Sequence, residues 1–483
     1  MSKIGLFIFR RDLRLEDNLG LINLQEKVDT IIPIFILDKY QVIKSDHNQH
    51  YFSNNAVQFM CESLEDLNSS LLSYGSSLRL FHGTPSKIID KLLKSLIDNN
   101  DPENIYLSYN ADYSKYSTER DKEMNDIADK HNINLLITHT DYTLIPFENM
   151  LKGDGTAFKQ YGAFYKNAIK FKVEKPKKMK YNFIKKTKKI ESDASYDIDD
   201  LNTLYTHNEH LAQNGGRTNG LHKLNMLKNQ TEYNEKRDTL SYKTSNLSAY
   251  LNFGCISIRE MYYKIKKELG NGSTLTKQLY WRDFFLQALR YLPNGNSYHH
   301  MDSRYDNIKW SNNKKLWQKL INAETGFLII DAAMNEMKTT GVMHNRARMI
   351  VGMFWTKYLH INIFHPKYGS QVGYSKYLVD AVGPSQNKFN HQWITEFDYP
   401  GKKYAPSTSK IAGRPMDPSN RMIHKFDPDC EYIKKWLPHL AEIPKNELVK
   451  WNEVIADKYD NIHPAPMFDH KIKYKEWIEL CIN

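Results

Sequence analysis

Short apolar runs alternate with amphipathic stretches through residues 1–145 of the chain. The runs are rich in Ile, Leu and Phe and have the length of buried parallel strands. Between them, apolar residues recur at helical spacing, as in 55–72 and 85–97. Repeated strand–helix units of this kind predict an α/β domain built on a doubly wound parallel sheet. The predicted strands are 4–9, 30–37, 78–81, 105–108 and 135–138.

Helical periodicity replaces the strand pattern from about residue 198 onward, which predicts an all-α second domain. Its clearest part is 325–359, where apolar residues at helical spacing on both sides of Thr340-Gly341 predict two helices. The polar run HNRAR, residues 344–348, interrupts the buried face of the second helix. Because arginine is rarely buried alone, either this face is solvated or its arginines meet an anionic partner inside the protein.

Lysine is concentrated in residues 170–190, and the acidic stretch ESDASYDIDD follows. This composition is typical of an exposed linker. We therefore expect an α/β domain over 1–145, a lysine-rich linker over 146–200 and a helical domain over 201–483. Contact of these lysines with nucleic-acid phosphates is the alternative to a solvated linker.

The chain of 483 residues carries a formal net charge of +11. Such an excess attracts polyanions, nucleic acid first, although an ordinary basic protein can carry the same charge. The four cysteines have no CxxC or zinc spacing, so we expect reduced thiols, no metal site and an intracellular, reducing compartment. No apolar run approaches the ~20 residues of a membrane span, and the N-terminus lacks the layout of a secretory signal, so we expect no membrane partner.

The stretch KTSNLSAYLNFGCIS carries groups suited to a phosphate. Thr244, Ser245 and Ser248 stand at the start of a predicted helix, where hydroxyls and free backbone N–H groups bind anions such as a pyrophosphate. An ordinary helix cap is the alternative interpretation.

The stretch QLYWRDFF places Gln278, Trp281 and Arg282 three and four residues apart, on one helix face. An aromatic ring beside an amide and a guanidinium suits a stacked, hydrogen-bonded base or flavin. The alternative is a tryptophan in the core beside a solvated Arg282–Asp283 pair.

Two further stretches carry charged or neutral hydrogen-bonding groups. RRDLRLEDN, residues 10–18, follows the first strand at the end where such sheets bind ligands, and a salt-bridged loop is the alternative. VDAVGPSQNKFNHQW, residues 379–393, offers Asp380 as a partner for Arg348, with Asn387 and Gln392 as neutral groups.

In this order the motifs resemble the DNA photolyase/cryptochrome family over nearly the whole chain, and its class I cyclobutane pyrimidine dimer photolyases most of all. LFIFRRDLRLEDN resembles the family's opening strand and loop, and GGRTNGL its entry to the helical domain. TSNLS, WRDFF, TGFLIIDAAM, MHNRARM and KFDPDCEYIKKWLPHL are similar to its later motifs. The resemblance implies an N-terminal antenna domain and a C-terminal helical domain that binds FAD.

The resemblance also implies which residues hold FAD. Arg348 and Asp380 would form an ion pair beside the isoalloxazine ring, and such a buried pair is costly to break. Asn387 would face flavin N5, where an amide can accept a hydrogen bond from reduced flavin without taking its proton. The further implied cofactor residues are Tyr233, Thr244, Ser245, Asn246, Leu247, Ser248, Arg282, Ala381 and Val382.

The implied activity is light-driven repair of UV-damaged DNA by a deoxyribodipyrimidine photo-lyase. Excited reduced FAD would transfer an electron to a pyrimidine dimer flipped out of the duplex, and the cyclobutane ring would split. Trp281 would stack on the dimer. The implied catalytic residues are Gln278, Trp281, Asn345, Met349 and Asn387, and the implied DNA contacts are Arg237, Gln278, Trp281, Asn345 and Asn420.

Departures from the family pattern bear on the lesion. Gln278 stands where cyclobutane-dimer photolyases have Glu and is more usual in (6-4) photolyases. Asn345 replaces the second residue of the His-His pair of (6-4) enzymes and, like Met349, favours cyclobutane dimers. Val342 replaces an aromatic residue of the cyclobutane-dimer enzymes. We expect a cyclobutane-dimer photolyase, with a (6-4) photolyase as the alternative.

A cryptochrome-type blue-light receptor is a further alternative, and a light-independent DNA-binding protein is another. The chain extends only a short way beyond WLPHL, which favours the enzyme over a receptor with a signalling tail, and the FAD motifs disfavour a light-independent role. The resemblance leaves the antenna open between a folate, a deazaflavin and none. Thr118 and Glu119 align with a folate-contacting pair, but the family has Asn at the first position. We expect a monomer.

The family's three-tryptophan electron-transfer chain is altered. Trp310 fits the outermost position, but Ile363 stands at the middle position and His391 at the innermost one, and neither relays a hole as tryptophan does. The residues available for another route are Trp355, Tyr358 and Trp393.

We predict that light reduces the oxidised flavin of this protein slowly or by another route, while repair by the already reduced protein is intact. The measurement is the loss of oxidised-flavin absorbance under blue light with an external reductant. Fast loss that Trp310→Phe abolishes would contradict the broken chain.

Overall fold

The computed structural model describes residues 2–42, 52–187, 192–292, 300, 303–369, 416–459 and 461–482. Strands of these residues form a six-stranded sheet of order β5-β4-β1-β2-β3-β6. The first five strands are parallel, and β6 runs antiparallel to β3. The predicted parallel sheet is therefore confirmed. The strands are β1 Ile4–Phe9, β2 Thr30–Leu37, β3 Arg79–His82, β4 Ile105–Asn110, β5 Asn134–Thr138 and β6 Ser195–Tyr196.

Helices connect the strands and form much of the rest of the described part of the chain. Those before residue 230 are α1 Leu19–Gln25, α2 Lys39–Val42, α3 Asn54–Leu72, α4 Pro85–Ile97, α5 Lys115–Lys130, α6 Tyr161–Ala168 and α7 Arg217–Asn225. The later ones are α8 Tyr233–Lys236, α9 Ser248–Asn252, α10 Ile258–Leu269, α11 Thr274–Tyr291, α12 Lys314–Asn322, α13 Leu328–Thr340, α14 Asn345–Lys357, α15 Asn420–Phe426, α16 Glu431–Trp436, α17 Lys445–Leu448, α18 Ala456–Lys458 and α19 His470–Ile482.

The core of the sheet explains its sequence pattern. β1 and β2 are buried along almost their whole length, as strands covered on both faces are, and so they read as continuous apolar runs. The apolar stripe of α4, including Ile89 and Leu93, packs with Met124 and Ala128 of α5 against strand residues such as Ile34. The helical spacing of these residues places them on one face of each helix.

β2 lies on one side of β1 and β4 lies on the other, so the strand order reverses between β1 and β4. The loops that follow these two strands therefore leave the carboxyl end of the sheet in opposite directions. The charged residues of RRDLRLEDN follow β1 at this carboxyl end of the sheet, and its first two arginines form ion pairs within the protein. Arg10 Nη1 binds Asp121 Oδ1 at 2.9 Å, and Arg11 Nη1 binds Asp112 Oδ2 at 3.1 Å. The salt-bridged interpretation of this loop is therefore confirmed.

A buried ion network continues from the same loop. Arg14 Nη2 donates to both carboxylate oxygens of Asp141, at 2.7 and 2.9 Å, and Arg259 Nε donates to Asp17 Oδ2 at 2.8 Å. These four side chains are at most 3% exposed. Although burial opposes it, Arg14 and Arg259 hold the pKa of Asp141 below its ordinary value. The network joins the β1 loop, the loop after β5 and the start of α10.

Backbone contact supports the same junction. The Leu13 N–H donates to the Phe253 carbonyl at 3.1 Å. Gly254 follows with φ +67°, and a Cβ there would lie 2.1 Å from the Arg11 carbonyl oxygen. The close approach of the two segments therefore requires glycine at this position.

The chain divides into two compact units. The first comprises Met1–Glu209, Gln213–Thr231 and Ser245–Asn296, and the second comprises His210–Ala212, Glu232–Thr244 and Ser297–Asn483. The sheet and α10–α11 thus belong to the first unit. The domain boundaries expected at residues 145 and 200 stay a prediction.

The second unit contains the two helices expected in 325–359, and their prediction is confirmed. They are α13 and α14, and Gly341 ends α13 in the left-handed conformation, with φ +71°. Phe327, Met334 and Phe354 of this stretch are fully buried in the core of the second unit.

The lysine-rich segment is attached to the first unit at the start of β2. The Ile31 N–H donates to the Asn182 carbonyl, and the Ile184 N–H donates back to the Ile31 carbonyl, at 2.9 and 2.8 Å. Tyr181 and Phe183 are buried, while Lys180 and Lys185 are exposed. The segment is thus tied down through its backbone and aromatic residues and leaves its charges in solvent.

Within the described residues, no helix has the length and apolar character needed to cross a membrane. The same residues contain no group of three or more His, Cys, Asp and Glu side chains able to hold a metal ion. All four cysteines are free thiols.

Candidate functional site

Helix α11 of the first unit carries the predicted Gln278, Trp281 and Arg282. The Ser273 side chain caps the helix by accepting from the Leu275 N–H at 3.2 Å. Tyr280, Asp283 and Gln287 bury the opposite side of the helix, whereas Gln278 and Trp281 are half-buried on the face that the spacing predicted.

Trp281 is stacked on a residue that the sequence did not single out. The Tyr161 ring on α6 lies parallel to the indole, with the ring centroids 3.6 Å apart and an interplanar angle of 6°. Phe285 lies beside the indole at 5.5 Å. The aromatic spacing of Tyr161 and Tyr165 was visible in the sequence, but their pairing with α11 depends on chain segments more than one hundred residues apart.

Asp283 is buried and Arg282 is half-buried, and both bind the loop after β5, which contradicts the solvated alternative. The Arg282 guanidinium donates to the Tyr142 carbonyl, and Asp283 Oδ2 accepts the Leu144 N–H at 3.0 Å. Burial raises the pKa of Asp283 to about 7, and the neighbouring guanidinium and backbone donors only partly oppose it. Burial likewise lowers the pKa of Arg282 to about 10. The pair holds the loop after β5 on α11, and a contact of Arg282 with FAD stays a prediction.

The residues predicted to bind the FAD phosphates and ribityl chain belong partly to the first unit and partly to the second. In the first unit, Ser245, Asn246 and Leu247 form an irregular segment in which Asn246 has φ +51°, and Ser248 begins α9. Leu247 is buried, while Ser248 is exposed at the helix start. Hydroxyl and amide groups in an irregular turn are suitable hydrogen-bonding partners for a phosphate or a polyol.

Thr244 and Tyr233 belong to the second unit. Tyr233 is buried at the start of α8, and its carbonyl accepts the Arg237 N–H at 3.1 Å. The contact of either residue with FAD stays a prediction.

HNRAR begins α14, and its residues have different environments. The Arg346 guanidinium binds Asp238 through two hydrogen bonds of 2.9 Å, Nε to Oδ1 and Nη2 to Oδ2. Although burial opposes it, this guanidinium lowers the pKa of Asp238. One arginine of the run therefore meets an anionic partner, but this pair is partly exposed and Asn345 is exposed, so the run is neither fully solvated nor enclosed in the protein. Asp238 was missed because nothing in the sequence links it to a helix more than one hundred residues later.

His344 caps α14, with its Nδ1 accepting the Arg346 N–H at 3.1 Å. Burial lowers the pKa of His344 to about 4, so the imidazole is neutral at neutral pH. Asn345 is exposed and Met349 is buried one turn further on, where Arg346 Nη1 approaches its sulfur at 3.1 Å. Arg348 Nε donates to the Met343 carbonyl at 2.9 Å. Its predicted partner Asp380 lies outside the described residues.

The predicted DNA contacts Arg237 and Asn420 lie on segments that meet. The Leu240 N–H, three residues after Arg237, donates to the carbonyl of Phe426 on α15 at 2.8 Å. Asn420 begins that helix, and its Nδ2 donates to Glu453 at 3.1 Å. The second unit thus brings Arg237, Asn345 and Asn420 onto connected elements.

Trp310 packs within an aromatic cluster of the second unit. Its ring lies 5.8 Å from Trp477 and 5.9 Å from His300 between centroids. Trp355 is fully buried and donates through Nε1 to the Tyr368 carbonyl at 2.9 Å. Ile363 is buried as well.

Thr118 and Glu119 lie on the first turns of α5 in the first unit. Thr118 Oγ1 donates to the Lys115 carbonyl at 2.8 Å, and Glu119 is exposed beside Lys115. Their role in binding an antenna chromophore stays a prediction. The predicted residues that lie outside the described residues are Asp380, Ala381, Val382, Asn387, His391 and Trp393.

Two family models match the chain. The model described as "DNA photolyase" matches residues 6–180, and the model "FAD binding domain of DNA photolyase" matches residues 274–481. Together they span both the sheet and the later helices.

Solved and curated proteins are similar along the whole chain. An archaeal photolyase from Sulfolobus tokodaii, solved with two FAD molecules, has 30% identity and a TM-score of 0.81 over 99% of each chain. A deoxyribodipyrimidine photo-lyase of a Synechococcus strain has 27% identity over 98% of this chain and 95% of its own. A (6-4)DNA photolyase of Oryza sativa has 27% identity over 97% of this chain and 87% of its own.

The raised pKa of Asp283 predicts a pH-dependent stability. A carboxyl with an unfolded pKa near 3.8 and a folded pKa of about 7 stabilises the fold fully below the lower value and loses that contribution as pH rises towards the higher one. Between pH 5 and 7 the unfolding free energy should fall by about 2–3 kcal/mol from this group. Asp283→Asn keeps an oxygen acceptor for the Leu144 N–H but cannot ionise, so its stability should not show this fall.

The measurement is urea unfolding of both proteins at several pH values. Asp154→Asn is the control, because Asp154 is exposed and its pKa is lowered by Thr156, so it does not titrate in this range. Parallel stability curves for the wild type and Asp283→Asn between pH 5 and 7 would show the prediction to be wrong.

Proposed function

This chain belongs to the DNA photolyase/cryptochrome family, and on that premise we propose that it is a light-dependent DNA-repair enzyme acting on cyclobutane pyrimidine dimers. The observation that carries the proposal is Trp281, half-buried on a capped and anchored helix with Gln278 one turn before it. Two adjacent bases of one strand that are joined by damage must leave the duplex stack to be processed, and an aromatic side chain is the usual platform for them.

The helical domain matched by the second family model is an FAD-binding domain. When bound and excited in its reduced form, FAD supplies the electron that splits the cyclobutane ring. The donor set suits such a ligand, because it combines hydroxyls, amides and a guanidinium. The residues that the family resemblance assigns to it are Ser245, Asn246, Ser248, Tyr233, Thr244 and Arg348.

The second unit supplies groups suited to a DNA backbone. Arg237 lies beside Asp238, whose carboxylate fixes the Arg346 guanidinium through two hydrogen bonds. Arg237 and the exposed Asn345 are proposed to contact phosphate and base edges. Because phosphate contacts release counterions, this binding should weaken with salt.

The environment of His344 supports the cyclobutane dimer over the (6-4) lesion. Its Nδ1 is engaged as an acceptor and its imidazole is neutral at neutral pH. A ring that splits when it gains an electron and then returns the electron needs no net proton from the protein, so a neutral imidazole suffices. Asn345 next to it agrees with this assignment.

A second chromophore is a further part of the proposal. The similar Sulfolobus tokodaii protein holds two FAD molecules, which makes a flavin a candidate beside the folate and deazaflavin considered above. Extraction of the purified protein and separation of its chromophores would identify which, if any, accompanies the catalytic FAD.

The deciding experiment uses the flavin-loaded, reduced protein with two oligonucleotides, one carrying a cyclobutane dimer and the other a (6-4) product. We predict restoration of the dimer oligonucleotide in light and not in darkness, with the (6-4) oligonucleotide unchanged. Restoration of the (6-4) oligonucleotide instead would overturn the lesion assignment. No restoration of either would overturn the repair function and favour a receptor.

Trp281→Leu should weaken binding of the dimer oligonucleotide by about 1–3 kcal/mol, the usual contribution of one stacked base. Trp317→Leu on α12 is the matched control, since it removes a half-buried tryptophan that the proposal does not use. Equal losses in both variants would point to a general loss of structure.

A further inference from the structure

Tyr161 and Trp281 form a closely stacked pair. The centroids are 3.6 Å apart and the planes differ by 6°, so the two rings overlap face to face. One face of the indole is therefore covered by protein. A base can stack on Trp281 only on the face opposite Tyr161.

The Tyr161 ring is itself fixed from several sides. It lies 5.6 Å from Tyr165 and 6.4 Å from Phe164 of its own helix, and it meets Phe284 of α11 edge-on at 5.8 Å. Phe164 and Phe284 are fully buried. The ring is thus held between two helices of the first unit.

The Tyr161 hydroxyl adds a second attachment to the same helix. Its Oη donates to the Lys277 carbonyl at 2.9 Å. In an α-helix this carbonyl also accepts the N–H of the residue four positions later, which is Trp281. Tyr161 therefore contacts both the ring of Trp281 and the carbonyl that holds its backbone.

We propose that Tyr161 is a positioning residue that holds the Trp281 ring in the orientation needed to receive the flipped dimer. This inference rests on the proposed function, in which Trp281 stacks on the lesion. An indole without a backing ring would populate several orientations, and binding would have to select one of them. The opposite arrangement, in which Tyr161 covers the face that the lesion needs, would require the anchored ring to leave its packing and its hydrogen bond.

The test compares Tyr161→Leu and Tyr161→Phe in the full-length, flavin-loaded protein. Leucine removes the stacked ring, so we expect affinity for the dimer oligonucleotide to fall about three- to tenfold, as loss of one aromatic pair predicts. Phenylalanine keeps the ring and loses only the hydroxyl, so its affinity should stay close to that of the wild type. Affinity for the undamaged oligonucleotide should be unchanged in both.

Two further readouts separate positioning from general damage. Flavin content and thermal midpoint show whether each variant is folded, and Tyr161→Met provides a second non-aromatic side chain if the leucine variant is unstable. Tyr74→Leu is the matched control, because Tyr74 is an exposed tyrosine that packs on Tyr181 and Phe183 at another part of the first unit. It should bind the dimer as the wild type does.

The outcomes are distinct. Tighter dimer binding by Tyr161→Leu would mean that Tyr161 blocks the lesion face, and the proposal would be overturned. Unchanged binding, or an equal loss in Tyr161→Phe, would overturn it as well. If Trp281→Leu keeps wild-type affinity, lesion stacking itself fails; if only Trp281→Leu loses affinity, the positioning role alone fails.

Discussion

The buried ion network of Arg14, Asp17, Asp141 and Arg259 is the constraint on which the first unit depends. Its members come from three distant parts of the chain, and none is more than 3% exposed. Removing one charge from such a group leaves another buried without a partner, which typically costs ~3–5 kcal/mol. Gly254 lets the two backbones meet at the same place, because any side chain there would strike the Arg11 carbonyl. The network thus ties the start of α10 to the loop after β1, and both belong to the first unit.

Helix α11 follows α10 in the chain and binds the same loop after β5 that contributes Asp141 to the ion network. Its Arg282 and Asp283 hold the loop that follows β5, and its other side packs against α6. A binding residue on a rigid, doubly anchored helix is held more closely in place than one on a loop. The proposed lesion platform Trp281 therefore stands on a helix that is anchored to the loop after β5 and to α6, with Tyr161 stacked on its ring.

Local patterns in the sequence predicted the strands and helices, but they did not predict which side chains of distant segments contact each other. Strands β1 and β2 and helix α4 follow the apolar pattern residue for residue, since period and burial are local properties. For HNRAR the pattern left two alternatives, because a local sequence cannot reveal that Arg346 meets Asp238. The Tyr161–Trp281 stack and the hydrogen bond from Arg282 to the Tyr142 carbonyl also depend on contacts between distant segments. The family's residue roles came from resemblance, and those of Asp380 and Asn387 stay predictions.

The wavelength dependence of repair tests the central claim most directly, which is that light absorbed by the bound flavin drives repair of a dimer. The rate of dimer restoration per incident photon would be measured across the near-ultraviolet and blue range with the reduced protein, beside its absorption spectrum. We predict that the two curves coincide wherever the bound chromophores absorb. Restoration in darkness, or a rate that does not follow the absorption of the bound flavin and any second chromophore, would contradict the account.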